Sequence, residues 1–169
     1  MLPLVEVSRA VRSRRSDMGL TQTRLAQLSG LSRATINQIE NGSIKDLSLT
    51  RTARLLEVLG LSINISPARP QPPESAREKT PASILASRTA SVSYRDDLPP
   101  DVLKASLLTG QVPSEFVPHL NALLEDASVI LLSRVVDELN AECGVERAQI
   151  WANMRSMARK LGSRRDIWG

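Results

Sequence analysis

Residues 20–42 read LTQTRLAQLSGLSRATINQIENG, and this stretch decides the fold. Thr21 and Ser32 stand where two short helices open, because their side-chain oxygens accept the backbone N–H groups that a helix start leaves unpaired. Leu25 and Leu28 mark the buried side of the first helix, and Ala26 is small enough for close packing. Gly30 falls where the chain turns sharply, a place that favours positive φ. Leu31 plugs the corner, Ile36 and Ile39 give the second helix its apolar stripe, and Asn41-Gly42 ends it.

This arrangement leaves Arg33, Thr35, Asn37 and Gln38 facing outward, with no Asp or Glu on that side until Glu40. Side chains of these types read base edges in a DNA groove. Any helical hairpin needs caps and a Leu/Ile stripe. The spacing Leu25–Gly30–Ile36, joined to a polar outer face, is what points beyond a plain helix pair to a helix-turn-helix.

A chain of 169 residues holds one domain or two small ones. Its net charge of +4 is unevenly distributed. Residues 1–66 carry nine basic and five acidic side chains, residues 67–92 four and two, residues 93–142 three and nine, and residues 143–169 six and two. A basic front, an acidic middle and a basic tail suggest separate tasks, although acidic helices are also common as plain solvated faces. The single cysteine, Cys143, allows no disulfide within one chain and fits a reducing cytoplasm. No apolar run is long enough to span a membrane. The opening MLPLVEVSRAVRSRR puts its apolar residues before its charges, the reverse of a signal peptide. With aromatics at 2%, rows of stacking rings for single-stranded nucleic acid are not expected.

Apolar periodicity predicts a first helix over Leu4 to Asp17, with Leu4, Val7, Val11 and Met18 inside, and then helices over 22–28 and 33–41. Ser48 caps a fourth, from Leu49 to Leu59, with the stripe Leu49, Ala53, Leu56 and Leu59, and Gly60 ends it. Residues 61–65, LSINI, alternate apolar and polar and read as a short strand. A lone strand must find another edge, and in a dimer the simplest partner is its own copy. Leu61, Ile63 and Ile65 are therefore the expected dimerisation residues, the alternative being an extended tail. Residues 67–92 are rich in Pro, Ser, Ala and Arg and read as a linker, with Ile84 and Leu85 docking locally. From Ser93 the periodicity predicts helices over about 100–108, up to Leu124 behind Pro118, over 128–142 capped by Ser128, and over 147–161 between Gly144 and Gly162.

Leu139, Gly144, Val145 and Ile150 repeat the spacing of Leu25, Gly30, Leu31 and Ile36, with Arg147 where Arg33 falls. Arg155, Arg159, Lys160, Arg164 and Arg165 follow. This second pair is read either as added phosphate contact or as an ordinary hairpin whose basic end suits its helix dipole. No catalytic constellation is visible, so no enzyme activity is expected. His119, beside Pro118, is structural, and one His with one Cys builds no tetrahedral metal site. No cofactor is expected. Asp96-Asp97 and Glu125-Asp126 belong to turns. Trp151 reads as core, while Trp168 beside the terminus is the expected anchor on a partner.

The segment TQTRLAQLSGLSRATINQIENG with the following SLTRTARLLEVLG resembles the phage-repressor-like regulators of the XRE family, over residues 5–66. The run LLEVLGLSINI is similar, more narrowly, to antitoxins of the HipB type, although those end soon after the strand and this chain continues for about a hundred residues. The resemblance implies a homodimer on a palindromic operator in double-stranded DNA, autorepression, and neutralisation of a toxin protein encoded beside it. It implies that Gln22 buttresses the fold or touches phosphate, and Thr21 beside it is counted among the expected DNA-binding residues. Ser32, Arg33, Thr35 and Asn37 would face the major groove, and Lys45 would sit near the backbone, while Gln38 is an expected DNA-binding residue from its outward position alone. The expectation is a mainly α cytoplasmic, nucleoid-associated regulator. Residues 1–66 form a four-helix repressor-like helix-turn-helix domain ending in a dimerising strand, 67–92 a linker, and 93–169 a helical domain. A protein-binding antitoxin and a ligand-sensing repressor are the rival readings.

Overall fold

The structure, a computed structural model, describes residues 4–63 and 80–168. Among them are α1 (Leu4–Asp17), α2 (Gln22–Ser29), α3 (Arg33–Glu40), α4 (Leu49–Val58), α5 (Ala82–Ser91), α6 (Pro100–Thr109), α7 (Val117–Asp126), α8 (Val129–Cys143) and α9 (Arg147–Leu161). Single 3-10 turns occupy Ser114–Phe116 and Asp166–Trp168. The fold is mainly helical, with the helix-turn-helix at its N-terminal end.

The predicted caps form. Thr21 Oγ1 accepts from Arg24 N at 3.0 Å, Ser32 Oγ from Thr35 N at 3.0 Å, and Ser128 Oγ from Leu131 N at 3.2 Å. Each such cap contributes about 1 kcal/mol. Between α2 and α3, Gly30 has φ 70°, and its N–H donates to Ala26 O. An L side chain adopts that backbone only with strain.

The α2–α3 pair rests on α1 and α4. Val11, Met18, Leu25, Ile36, Ile39, Leu55 and Leu59 are buried between them. The stripe expected on α4 is corrected: Leu49 is 70% exposed and Ala53 is exposed, while Leu55 and Leu56 are buried. Only the later turns of α4 are covered. Arg54 lies against Gly30 at the end of α2, and Gly60 lies against α8.

Two further expectations change. No strand forms among the described residues, and Leu61–Ile63 are irregular. A strand needs a partner edge, and none was expected within one chain. Leu61 instead packs on the core, Ile63 is 39% exposed, and Ile65 lies outside the described residues. The expected linker also shortens, since Ala82–Ser91 is helix α5, while its residues 67–79 lie outside the described residues. Ala82, Ser83, Ala86, Ser87, Ala90 and Ser91 are all buried, whereas Ile84 and Leu85 are only half-buried. A stripe of Ala and Ser lets α5 lie close against α6, α7 and α8. The Glu138 carboxylate caps its first turn, accepting from Ala82 N at 2.5 Å, Ser83 N at 3.2 Å and Ser83 Oγ.

The remaining helices gather around α9, which touches α1, α6, α7, α8 and the final 3-10 turn. Buried apolar residues from Val11 to Trp168 form one contiguous cluster, so the N-terminal and C-terminal parts share a core. Gly60 (φ 64°) marks the closest approach: a Cβ there would stand 2.8 Å from Val129 O and against the Ser133 hydroxyl.

Candidate nucleic-acid interface

The turn between α2 and α3 holds the second helix by one edge, and what remains outward is polar. Ile36 and Ile39 are fully or almost fully buried, which sets the rotation of α3. Arg33, Asn37 and Gln38 consequently face solvent, with Ser32 exposed at the start. Neither the Arg33 nor the Gln38 side chain makes a hydrogen bond or ion pair among the described residues. Ser32 Oγ and Thr35 Oγ1 lie 2.8 Å apart and are hydrogen-bonded to each other, and Thr35 is half-buried. Asn37 Oδ1 accepts from Asn41 Nδ2 at 3.1 Å, which leaves the Asn37 amide hydrogens outward.

The N-terminus of α2 is tied to the C-terminus of α3 by a carboxylate that the sequence pattern alone puts on the outer face. Glu40 is buried, at 7% exposure. Arg15 of α1 grips it with two bonds, Nε to Oε1 at 2.5 Å and Nη2 to Oε2 at 3.0 Å, and Gln22 Nε2 donates to Oε2 at 3.0 Å. Arg15 Nη1 also donates to Leu20 O at 2.8 Å. A planar guanidinium suits this bidentate grip, which fixes angles as well as distance. Burial by itself would raise the Glu40 pKa. The hydrogen bonds from Arg15 and Gln22 and the charges of Arg15 and Arg12 outweigh it, so the carboxyl sits below its ordinary value. Gln22 thus acts as a buttress between helices. A signal was present in the sequence, since Arg15, Gln22 and Glu40 occupy α1, α2 and α3, but only the fold brings them together.

Thr21 is exposed at the opening of α2, and Lys45 is exposed in the loop after α3. Lys45 lies beside a groove lined by Val7, Ile39, Ile44, Leu47 and Leu55. Thr21, Ser32, Arg33, Asn37, Gln38 and Lys45 therefore all reach solvent on the helix-turn-helix.

The second pair follows the same turn and meets a different environment. Gly144 has φ 68°, and its N–H donates to Asn140 O, as Gly30 donates to Ala26 O. Glu146 opens α9 without a side-chain cap bond. Arg147 Nε is bound to Asp137 Oδ1 at 2.6 Å, and Arg14 of α1 reaches the other oxygen at 3.2 Å. Asn37 has Trp151 as its counterpart, which is buried against Trp168 at a ring separation of 6.1 Å. The expectation that Trp168 anchors on a partner is corrected. It is 3% exposed, and its indole Nε1 donates to Leu124 O at 3.0 Å. His119 is structural as expected: it is buried, its Nε2 lies 2.7 Å from Asp96 O, and Tyr94 and Phe116 pack on its ring.

Among the described residues no helix is long and apolar enough to cross a membrane, and no group of His, Cys, Asp and Glu is placed to hold a metal ion. No curated protein and no solved structure matches the chain. Residues 11–65, from within α1 to beyond α4, match the family described as helix-turn-helix, and the N-terminal part of this chain is a helix-turn-helix domain.

Proposed function

We propose that the chain is a sequence-specific DNA-binding transcriptional regulator that reads a palindromic operator as a homodimer and represses its own promoter, in the manner of an antitoxin. The observation that carries this is the outer face of α3. Arg33 and Gln38 stand exposed and unengaged beside the outward amide of Asn37, on a helix whose other side is locked by Ile36, Ile39 and the Arg15–Glu40 pair. A rigid short helix with outward donors is suited to a major groove, where arginine on guanine and an amide on adenine are the usual specific pairings. In a dimer the two α3 helices would meet half-sites about one helical turn apart.

An antitoxin that acts mainly by binding a basic toxin is the second reading. The exposed carboxylates of Asp96, Asp97, Asp101 and Glu115 support it. Other acids of that region are engaged within the chain: Asp137 with Arg14 and Arg147, Glu138 and Glu142 with Lys104, and Glu125 with Arg164 N. DNA reading is therefore the better supported task.

The test is selection of bound duplexes from a random-sequence pool by the full chain, followed by footprinting and sedimentation of the complex. Enrichment of an inverted repeat protected by two protomers is the expected result. Recovery of unrelated sequences with no common motif would overturn the proposal.

A further inference from the structure

The C-terminal part brings its own cations to the start of α2. Arg155, midway along α9, donates through Nη2 to Met18 O in the turn between α1 and α2. It lies so close that a Cβ on Gly19 would stand 2.6 Å from that nitrogen. Arg159 follows one turn later on α9 and is exposed. Neither arginine has a carboxylate within ion-pair distance among the described residues, and the two repel each other. Burial first and then the charge of Arg159 lower the pKa of Arg155.

Beside them Arg24 of α2 donates to Asp166 O and to Gln27 Oε1 at 3.3 Å, with its nearest carboxylate, Asp166, 3.7 Å away and itself 86% exposed. Gly19, Thr21, Thr23, Arg24, Gln27 and Arg155 line a groove of about 310 Å³. Like charges are gathered here at a desolvation cost, and internal acids offset only one of them.

In a helix-turn-helix complex the first helix of the pair crosses the sugar-phosphate backbone while the second lies in the groove. In such a complex the groove at the start of α2 and the α9 arginines next to it would fall along the backbone, outside the bases that α3 would read. We infer that Arg155 and Arg159 of the C-terminal part, with Arg24, form a second contact with DNA: they hold backbone phosphates flanking the operator half-site. The inference rests on the DNA-reading proposal and adds to it a task for α9. This helix contributes affinity that is independent of sequence, through its middle and its C-terminal half rather than through its N-terminal turn.

The experiment uses the full chain, the operator duplex obtained by selection, and the variants Arg159→Gln and Arg155→Gln. Affinity is measured from 50 to 200 mM salt, on a long duplex and on one trimmed at the half-site edges. The Arg159 side chain is exposed and makes no hydrogen bond or ion pair among the described residues, so its variant isolates the contact from folding. Loss of one phosphate contact makes the salt slope shallower by about 0.9, so that Arg159→Gln loses about 3.5-fold less affinity than the parent over that range. The weakening is expected to be equal for operator and unrelated DNA and to vanish on the trimmed duplex. Unchanged operator binding and salt slope in Arg159→Gln would overturn the inference while leaving the base-reading proposal standing. Failure of the parent chain to bind any duplex would overturn both.

Discussion

The chain contains the same turn twice, and only one copy leaves its second helix free. Gly30 and Gly144 share a left-handed backbone and the same N–H bond to the carbonyl four residues earlier, and each lies five residues after a buried leucine and six before a buried isoleucine. From there the two diverge. The outward position held by Asn37 on α3 is held by Trp151 on α9, buried under neighbouring elements, and the buried carboxylate of Glu40 has the buried apolar Met154 as its counterpart. Arg33 stands free, while its counterpart Arg147 is spent on Asp137. The turn is local chemistry, and whether it builds a reader depends on what covers the far side of the second helix. In α9 that side is closed by the C-terminal tail, which folds Trp168 back onto Trp151.

The largest expected effect breaks the comparison at Trp151. Trp151→Ala should cost about 3–5 kcal/mol of stability in chemical denaturation, whereas Asn37→Ala should stay within about 0.5 kcal/mol. Similar costs at both positions would mean that the two second helices are equally buried.

Glu40 supplies the next test. Glu40→Ala leaves the half-buried Arg15 without its partner and should cost about 3 kcal/mol. Because the folded Glu40 pKa is lowered, its contribution is complete above the unfolded value and is lost as pH falls through the folded one. Unfolding free energy followed downward from about pH 4.3 should therefore decline, and Glu40→Gln should flatten that decline. Glu138, lowered in the same direction against its own burial by bonds to Ser83 and Ala82 and by Lys104, adds acid sensitivity in the C-terminal part. The flattening should consequently be partial, and an unaltered profile in Glu40→Gln would place the sensitivity elsewhere.

The glycines sharpen the likeness itself. Gly144→Ala meets nothing within 4 Å, so its cost is the left-handed backbone alone, about 1–2 kcal/mol. Gly30→Ala meets the movable Arg54 side chain at 3.4 Å and should cost about as much. A neutral substitution at either position, read by thermal denaturation, would contradict the shared turn.

What was legible in the sequence is what is decided within a few residues. Caps at Thr21, Ser32, Ser48 and Ser128 and stops at Gly30, Gly144 and Gly162 are local hydrogen-bond and backbone choices. Hence the helices over 22–28, 33–41 and 147–161 could be placed closely from pattern alone. Helix α5 was hidden because its buried stripe is Ala and Ser, and its N-terminal cap comes from Glu138, more than fifty residues away. Glu40 was hidden because a carboxylate reads as surface until Arg15 and Gln22 are brought to it. Trp168 looked like an anchor for another molecule because nothing near it in sequence announces Leu124 and Trp151 as its partners. Leu61–Ile63 are irregular for a related reason: the alternating pattern needs a partner edge, and none of the elements among the described residues offers one. Within the candidate interface, the exposure of α3 was legible, while its locking from behind by Arg15, Gln22 and Glu40 was not.

The central claim is that α3 reads bases and the N-terminal turn of α9 does not. It is tested most directly by measuring binding of the full chain to its selected operator, and to single-base variants of it, for Arg33→Ala and Arg147→Ala side by side. Arg33→Ala should lose about 1–3 kcal/mol and relax discrimination at one base position, while Arg147→Ala should keep both affinity and specificity. Loss of discrimination on Arg147→Ala, or its retention on Arg33→Ala, would contradict the account.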